Sequence, residues 1–432
     1  MGARQTRILL VAATTGYQTR MFGEAAERLD IELVFATDRC DQLDDPWCDR
    51  AIPIRFHQER ASADAIVRGV EDHPPVGAIA LGDRATTICA LAAERLALPT
   101  HPPAAVAAAR DKRQMRERLR GSGLRVPWFT TVPLDADASR CASTLPYPVV
   151  LKPLVLSGSR GVIRADTPAE FFAAFDRVRR LLHATDVRAM RDPAADLIQV
   201  ESYIHGREFA FEGLLDRGAL HALALFDKPD PLEGPFFEET IYVTPARTDR
   251  PAEEKIRCSI ADAVKALGLY HGPIHAECRV SSDDVFVLEI AARPIGGLCA
   301  KALQFENTCG ETVSLEDLLL RHAAGASPSE WSPAARPSGV MMIPIPRGGL
   351  YRRTEGEDEA RSVSGVWHLQ ITAKPDQQLV PLPEGASYLG FIFANGETPD
   401  RVEQSLREAH ARLTFVIDRS VPVVAGQKTA GE

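Results

Sequence analysis

Between His271 and Gly297 the chain reads HGPIHAECRVSSDDVFVLEIAARPIGG, and its polar residues are spaced for chemistry. Two runs alternate apolar and polar side chains, Ile274 to Val280 and Val285 to Ile290, and Ser281-Ser282-Asp283-Asp284 joins them with turn formers, the pattern of a β-hairpin. Side chains change face at every residue of a strand, so His275, Glu277 and Arg279 share one face. Glu289, Ala291 and Arg293 share a face of the returning strand if it stays extended past Ile290. Two carboxylates, Glu277 and Glu289, can then converge across the pair. An ordinary amphipathic hairpin with a solvated acidic face has the same pattern, so other parts of the chain must decide. Two of them suit phosphate. Tyr147-Pro148-Val149-Val150-Leu151-Lys152-Pro153 is an apolar strand ending in a lysine with core-type neighbours on both sides, a poor place for solvated filler. Ser157-Gly158-Ser159-Arg160-Gly161-Val162 then supplies a loop of small residues whose backbone N–H groups can close over phosphate oxygens.

HGPIHAE followed by LEIAARPIGG resembles the magnesium-binding strands of the ATP-grasp superfamily, where a Glu on one strand and a Glu-x-Asn-x-Arg run on the next hold metal ions that bridge ATP phosphates. Here the second run is Glu289-Ile290-Ala291-Ala292-Arg293. Ala291 stands at the Asn position, which removes one oxygen ligand and leaves open whether one or two ions bind. Magnesium takes one or two carboxylates besides phosphate oxygens and water, so Glu277 and Glu289 suffice, and Mn2+ is an acceptable substitute. The likeness covers most of the chain and is nearest to carboxylate–amine ligases of the L-amino-acid (dipeptide) ligase type. It implies that Lys112, in an Asp-Lys dipeptide, and Lys152 meet ATP phosphates under a loop that includes Ser157, Gly158 and Gly161. Leu197 to Ile204 reads as a strand running into His205-Gly206-Arg207-Glu208, and the segment from Glu201 through Tyr203 and Ile204 matches the family's Glu-x-aromatic-aliphatic-x-Gly-x-Glu hinge. That match implies that Glu201 and Ile204 flank adenine and that Glu208 binds ribose, a sound task for a carboxylate that can accept two hydroxyl hydrogen bonds. For Glu208 a structural ion pair near Arg207 is the other outcome. Arg293 is implied as the catalytic group that stabilises charge on the transferring phosphoryl, with the Gly296 and Gly297 amides beside it. His275 is expected to orient a substrate carboxylate. Glu238 or Glu239, in the acidic and proline-rich stretch after Phe226, is expected to meet a substrate ammonium.

The implied reaction is ADP-forming ligation of a carboxylic or amino acid to an amine through an acyl phosphate, with ATP and Mg2+ as cofactors and small molecules as partners. A biotin-carboxylase-like enzyme that activates bicarbonate would use similar ATP machinery, although no biotin-attachment segment is present. A non-catalytic nucleotide-binding module is the third reading, suggested by Ala291. The sequence names neither the acid nor the amine, since such pockets are built from loops that vary freely on one scaffold.

These residues need a multi-domain α/β and α+β frame. A chain of 432 residues, 45% hydrophobic and 25% charged, can build two or three cores. Short apolar runs at Ile8–Ala12, Leu33–Ala36 and Ala78–Leu81, separated by helical stretches, predict a small open α/β domain over residues 1–105, the pre-ATP-grasp domain of the family. Ligands of such sheets bind at the carboxyl ends of the strands, here Thr14, Thr15, Gly16, Asp38 and Gly82-Asp83. The ATP-grasp core is expected over 106–330 in two lobes, with a helix from about Ala104 to Arg120 and a mobile subdomain of about 135–203. In that subdomain Thr167, Pro168 and Glu170 cap a helix whose stripe is Phe171, Phe172, Phe175, Val178 and Leu182. Ala326 to Ser338 reads as a linker, and 331–432 as a small C-terminal α/β domain with strands at Val340–Pro344, Ala360–Thr372 and Ser387–Ala394 and a helix capped by Thr398. Ala425 to Glu432 is expected to be disordered. A net charge of −9 with no basic block argues against nucleic acid. Eight cysteines without Cys-x-x-Cys or His/Cys spacing read as free thiols in a reducing, cytoplasmic setting. No apolar run approaches the ~20 residues of a membrane helix, so no membrane partner is expected, while a homodimer stays open.

Overall fold

The computed structural model describes residues 5–13, 17–39, 51–282 and 284–419. Thr14, Thr15, Gly16 and the tail from Ala425 lie outside them. The first strands form a parallel sheet in the order Ile52–Pro53, Ile31–Thr37, Thr6–Ala12, Gly77–Leu81. Helices cover both faces, which is why the strands read as unbroken apolar runs: Ile8 and Leu10 pack with Phe22, and Leu9 and Val11 with Ile66 and Ile88. Asp83 opens the helix Asp83–Arg95 directly after the last strand, at the carboxyl edge of the sheet.

The helix expected over 104–120 is two helices, Pro103–Arg110 and Lys112–Gly121. Asp111 is extended between them, and its carboxylate accepts from the N–H groups of Arg113 and Gln114. An aspartate that can cap a new helix competes with continuing the old one. Lys112 is thereby the first residue of a helix rather than one cation in the middle of a long one.

A four-stranded antiparallel sheet in the order Phe129–Pro133, Leu197–Ser202, Val149–Pro153, Ile163–Ala165 carries Lys152, and the helix Pro168–Leu182 packs on it. Thr167 caps that helix as expected, but the Glu170 carboxylate accepts from the Asp166 N–H, one residue before the cap. Phe171, Phe175, Val178 and Leu182 are buried, whereas Phe172 is 40% exposed and belongs to the solvent face.

The largest sheet is antiparallel and has eight strands, in the order Asp284–Ala291, Gly272–Ser281, Arg207–Asp216, Ala219–Asp227, Ile241–Thr244, Ser338–Ile343, Gly390–Asn395, Val366–Ile371. Its last three strands come from beyond residue 331, so the sheet runs unbroken across the expected boundary. The expected linker is also structured: Trp331–Pro333 pairs with Gln304–Asn307. Within the expected strand Ala360–Thr372 only Val366–Ile371 is extended, and Glu357–Arg361 is helical. Gly349–Glu355 and Thr414–Asp418 pair as strands that the periodicity did not reveal. Thr398 caps the final helix, Pro399–Ala411, as expected, and Val402 and Leu406 are buried on it. Among the described residues no helix is long and apolar enough to cross a membrane.

Candidate active site

The hairpin forms as Gly272–Ser281 and Asp284–Ala291, and Glu277 and Glu289 are direct cross-strand partners. Cys278 pairs with Val287, so Leu288 is an extra residue in a β-bulge beside the two glutamates. Directly opposed residues on antiparallel strands point to one face with Cβ atoms about 5 Å apart, and like charges there destabilise the pair. Cations must offset that cost.

Lys228 does so for Glu277. Its side chain is 3% exposed, and its ammonium lies 2.8 Å from Glu208 Oε1, 3.1 Å from Glu277 Oε1 and in contact with Glu239. Burial disfavours the ammonium, but the three carboxylates outweigh it and hold Lys228 firmly charged. Burial would also raise Glu277, yet Lys228 and His275 keep it well below the ordinary carboxylate range. Glu239 goes the other way: burial first, then the charge of Glu277, pushes it up to about 7. No hydrogen bond or ion pair engages Glu289 among the described residues, and it faces the cavity half-buried. An opposed carboxylate pair with one uncommitted member is a suitable donor set for a hard divalent cation.

His275 is held through Nδ1 by Glu212 and lines the cavity. Burial opposes its charge, but contact with Glu212 and the nearby Glu277, 3.6 Å from Nε2, push its pKa up to about 10. Glu212 in turn accepts from the Ile295 N–H at 3.1 Å, tying the hairpin to the segment that leads into Gly296 and Gly297.

The cations expected at phosphate are held by their own partners. Lys152 Nζ lies 2.6 Å from Glu201 Oε2, and Arg116, 1% exposed, binds the same carboxylate through Nε at 2.7 Å. Burial would raise Glu201, but Arg116 and Lys152 hold it at about 2. With both oxygens engaged, the Glu201 side chain positions Lys152. Lys112 Nζ donates to the Leu156 carbonyl at 3.0 Å, at the entry to the glycine loop. Arg293 forms a two-pronged pair with Asp83, Nε to Oδ1 at 2.7 Å and Nη2 to Oδ2 at 3.2 Å. Burial works against the Asp83 charge, and Arg293 overcomes it to bring Asp83 down to about 2.

Gly158, Ser159 and Gly161 have φ of +62°, +56° and +75°. At Gly161 a Cβ would fall 2.6 Å from Pro153 Cγ, so glycine is required there by both conformation and space. Its N–H is already bonded to the Pro383 carbonyl at 2.8 Å, which removes it from the expected phosphate cradle, and Arg160 Nε donates to the Glu384 carbonyl at 2.6 Å. Glu208 accepts from Lys228 and, at 2.7 Å, from Arg279 Nε, so its ion-pair partners are these two; Arg207 pairs with Asp227 instead.

A cavity of about 520 Å³ brings these groups together. Lys112, Lys152, Ser157 and Gly158 line one side, Glu201, Tyr203, Ile204 and Glu208 the hinge side, and Glu239, His275, Glu277, Glu289, Arg293, Gly296 and Gly297 the rest. Glu238 and Gly161 are not among its lining residues.

Residues 145–302 match the family model of the ATP-grasp domain, and residues 341–418 match that of the L-amino acid ligase C-terminal domain 2. The chain thus carries an ATP-grasp domain followed by an L-amino acid ligase C-terminal domain. Its structure is similar to that of the L-amino acid ligase from Bacillus licheniformis, with a TM-score of 0.79 and 27% identity over 96% of this chain and 100% of that one. The D-alanine–D-alanine ligase of Ralstonia pickettii is 25% identical over 241 residues, 53% of this chain and 68% of that protein. The uncharacterized protein y4rH of Sinorhizobium fredii is 22% identical over 323 residues, 74% of this chain and 64% of that protein, so the match spans just under two thirds of this relative's length.

In this ATP-grasp chain the sequence reading missed Lys228, Glu212 and Arg116. For Lys228 a signal was present: Phe226-Asp227-Lys228-Pro229 repeats the strand–lysine–proline pattern that marked Lys152. Arg116 carried none, since nothing in a cation-rich helix distinguishes the one arginine that is buried.

Proposed function

We propose that the chain joins a carboxylic or amino acid to an amine with formation of ADP. The observation that carries this is the opposed Glu277–Glu289 pair sharing one cavity with Lys112, Lys152 and Arg293. Bound ATP and Mg2+ would supply the phosphoryl group that activates the carboxylate as an acyl phosphate and the positive charge that phosphoryl transfer needs. Glu277 and Glu289 are the residues to hold one or two magnesium ions, and Mn2+ would suit the same oxygens. Lys112 and Lys152 neutralise phosphate, and Glu201 keeps Lys152 aimed. The backbone at Tyr203 and Ile204 reads adenine. Glu208 takes the ribose hydroxyls through lone pairs left after its bonds to Lys228 and Arg279, since a carboxylate offers about four acceptor sites. Arg293, fixed by Asp83, stabilises negative charge that develops during transfer, with the Gly296 and Gly297 amides beside it. The free thiols among the described residues support a reducing compartment, the cytoplasm.

A panel of amino-acid pairs, with bicarbonate as a separate arm, assayed for ADP and phosphate release tests this. ADP formed only when a carboxylate and an amine are both present supports ligation. ADP release driven by bicarbonate alone would move the chain to the carboxylase reading, and tight ATP binding without ADP in any mixture would make it a nucleotide-binding module.

A further inference from the structure

Asp216 ends the strand Arg207–Asp216, and His271 immediately precedes Gly272–Ser281. Because Leu215 pairs with Gly272, Asp216 and His271 are the next neighbours along that ladder, four residues from Glu212 and His275, which pair with each other. An even spacing keeps both pairs on one sheet face, so two strands carry a carboxylate–imidazole pair twice. The first pair is committed to the nucleotide cavity. The second meets a third group, His322 on the helix Leu315–Ala323, whose ring stacks on His271 with centroids 4.2 Å apart and planes at 24°.

Asp216 Oδ1 lies 3.4 Å from His271 Nδ1 and 3.7 Å from His322 Nε2, and one ligand atom from each of the three falls within 4.8 Å of the others. The His322 side chain is 4% exposed and that of His271 10%. Among the described residues neither of these ring nitrogens has a hydrogen-bond partner. Buried polar atoms are nearly always satisfied, so two facing one carboxylate call for an explanation. Burial outweighs the Asp216 charge and lowers both imidazole pKa values, that of His322 to about 4. His101 nearby is satisfied at both nitrogens, by the Tyr270 N–H at 3.0 Å and the Pro273 carbonyl at 3.2 Å, and is no ligand. Arg217 adjoins the cluster, but its side chain is exposed and its charge is screened.

We propose that Asp216, His271 and His322 form a transition-metal site, best suited to zinc and separate from the nucleotide cavity. Zinc bonds of 2.0–2.1 Å in a tetrahedron set its ligand atoms roughly 3.3 Å apart, close to the two separations found, and the stacked rings need only splay to close on an ion. Two imidazoles select against magnesium, which prefers oxygen. Asp216, a third exposed, leaves an entry path and room for a water as fourth ligand. The ion would fasten the helix Leu315–Ala323 to the strand ends opposite the catalytic carboxylates.

The test uses the full-length protein stripped with chelator and titrated with Co2+ as a spectroscopic surrogate, in excess Mg2+ and with Glu289→Gln in parallel to discount the nucleotide cavity. One equivalent should bind in both proteins with the visible absorption of a four-coordinate nitrogen and oxygen site, and Zn2+ should displace it. His322→Gln should weaken binding by at least the roughly 10-fold that even outer-shell changes cost. Asp216→Asn, at a partly exposed position that tolerates change, should do the same and carries the test if His322→Gln does not fold. Absence of Co2+ and Zn2+ binding in excess Mg2+, or binding unchanged in Asp216→Asn, would overturn the proposal.

Discussion

Lys228→Met keeps an apolar stem of similar length and removes the ammonium that three carboxylates share. Removing one partner of a buried pair typically costs about 3–5 kcal/mol, because the other charge is stranded. Here the cost should sit near the lower end, since Glu208 keeps Arg279 and Glu277 keeps His275. Glu239 keeps no cation and must take up a proton. In the native protein its pKa is about 7, raised by burial and by Glu277 and already lowered by Lys228. Without Lys228 it stays protonated well above pH 7, while in the unfolded chain it ionises near the ordinary value. The folded variant therefore binds one more proton than its unfolded state, and its stability keeps falling as pH rises above 7, where that of the native protein levels off. The slope is about 1.4 kcal/mol per pH unit in the variant and fades above pH 7 in the native protein, so the deficit should widen by about 2 kcal/mol between pH 6.5 and 8.5. Urea unfolding of both proteins at pH 6.5 and 8.5, in chelator, measures it. An equal deficit at the two pH values, or one below about 1 kcal/mol at pH 8.5, would refute the claim that Lys228 neutralises Glu239 in the folded state.

Glu277→Gln and Glu289→Gln should each lower turnover by orders of magnitude, as expected when a phosphoryl-transfer metal is lost. They should differ in stability, since Glu277 has Lys228 and His275 as ion-pair partners whereas no ion pair engages Glu289 among the described residues: Glu289→Gln should stay within about 0.5 kcal/mol of the native protein by thermal unfolding. A fully active Glu289→Gln, or one as destabilised as Glu277→Gln, sinks the assignment. Arg293→Ala should reduce turnover more than nucleotide affinity, and Lys should rescue poorly because a point charge cannot span two oxygens. That comparison belongs in an Asp83→Asn background, where no orphaned carboxylate repels phosphate, and a calorimetric ATP affinity that falls as far as turnover would make Arg293 a ground-state binding residue. His101, buried and brought down to about 4 by desolvation, is neutral in the folded protein and protonated in the unfolded chain below about 6.5. The native protein should accordingly lose about 2 kcal/mol relative to His101→Gln as pH falls from 7 to 5, read from urea midpoints, and parallel pH curves would count against it.

What the sequence determined by itself was whatever rests on short-range pattern. Alternation placed Glu277 and Glu289 on one hairpin, apolar runs marked the first parallel strands, and Thr167 and Thr398 announced their helices, because each signal lies within a few residues of what it specifies. The cation and carboxylate types that line the cavity were legible for the same reason. Which partner each group would choose was not. Lys152 with Glu201, Arg293 with Asp83, and Lys228 with Glu208, Glu239 and Glu277 join residues far apart in the chain, and ion pairing depends on distance and burial that no local pattern encodes. The continuation of the central sheet past residue 331 was hidden likewise, since strand pairing between Ile241–Thr244 and Ser338–Ile343 is settled by which edge is free once the core has formed. Tertiary structure alone decided that His322 would meet His271 and Asp216, because only packing of a helix against two strand ends brings those three side chains within reach of one another.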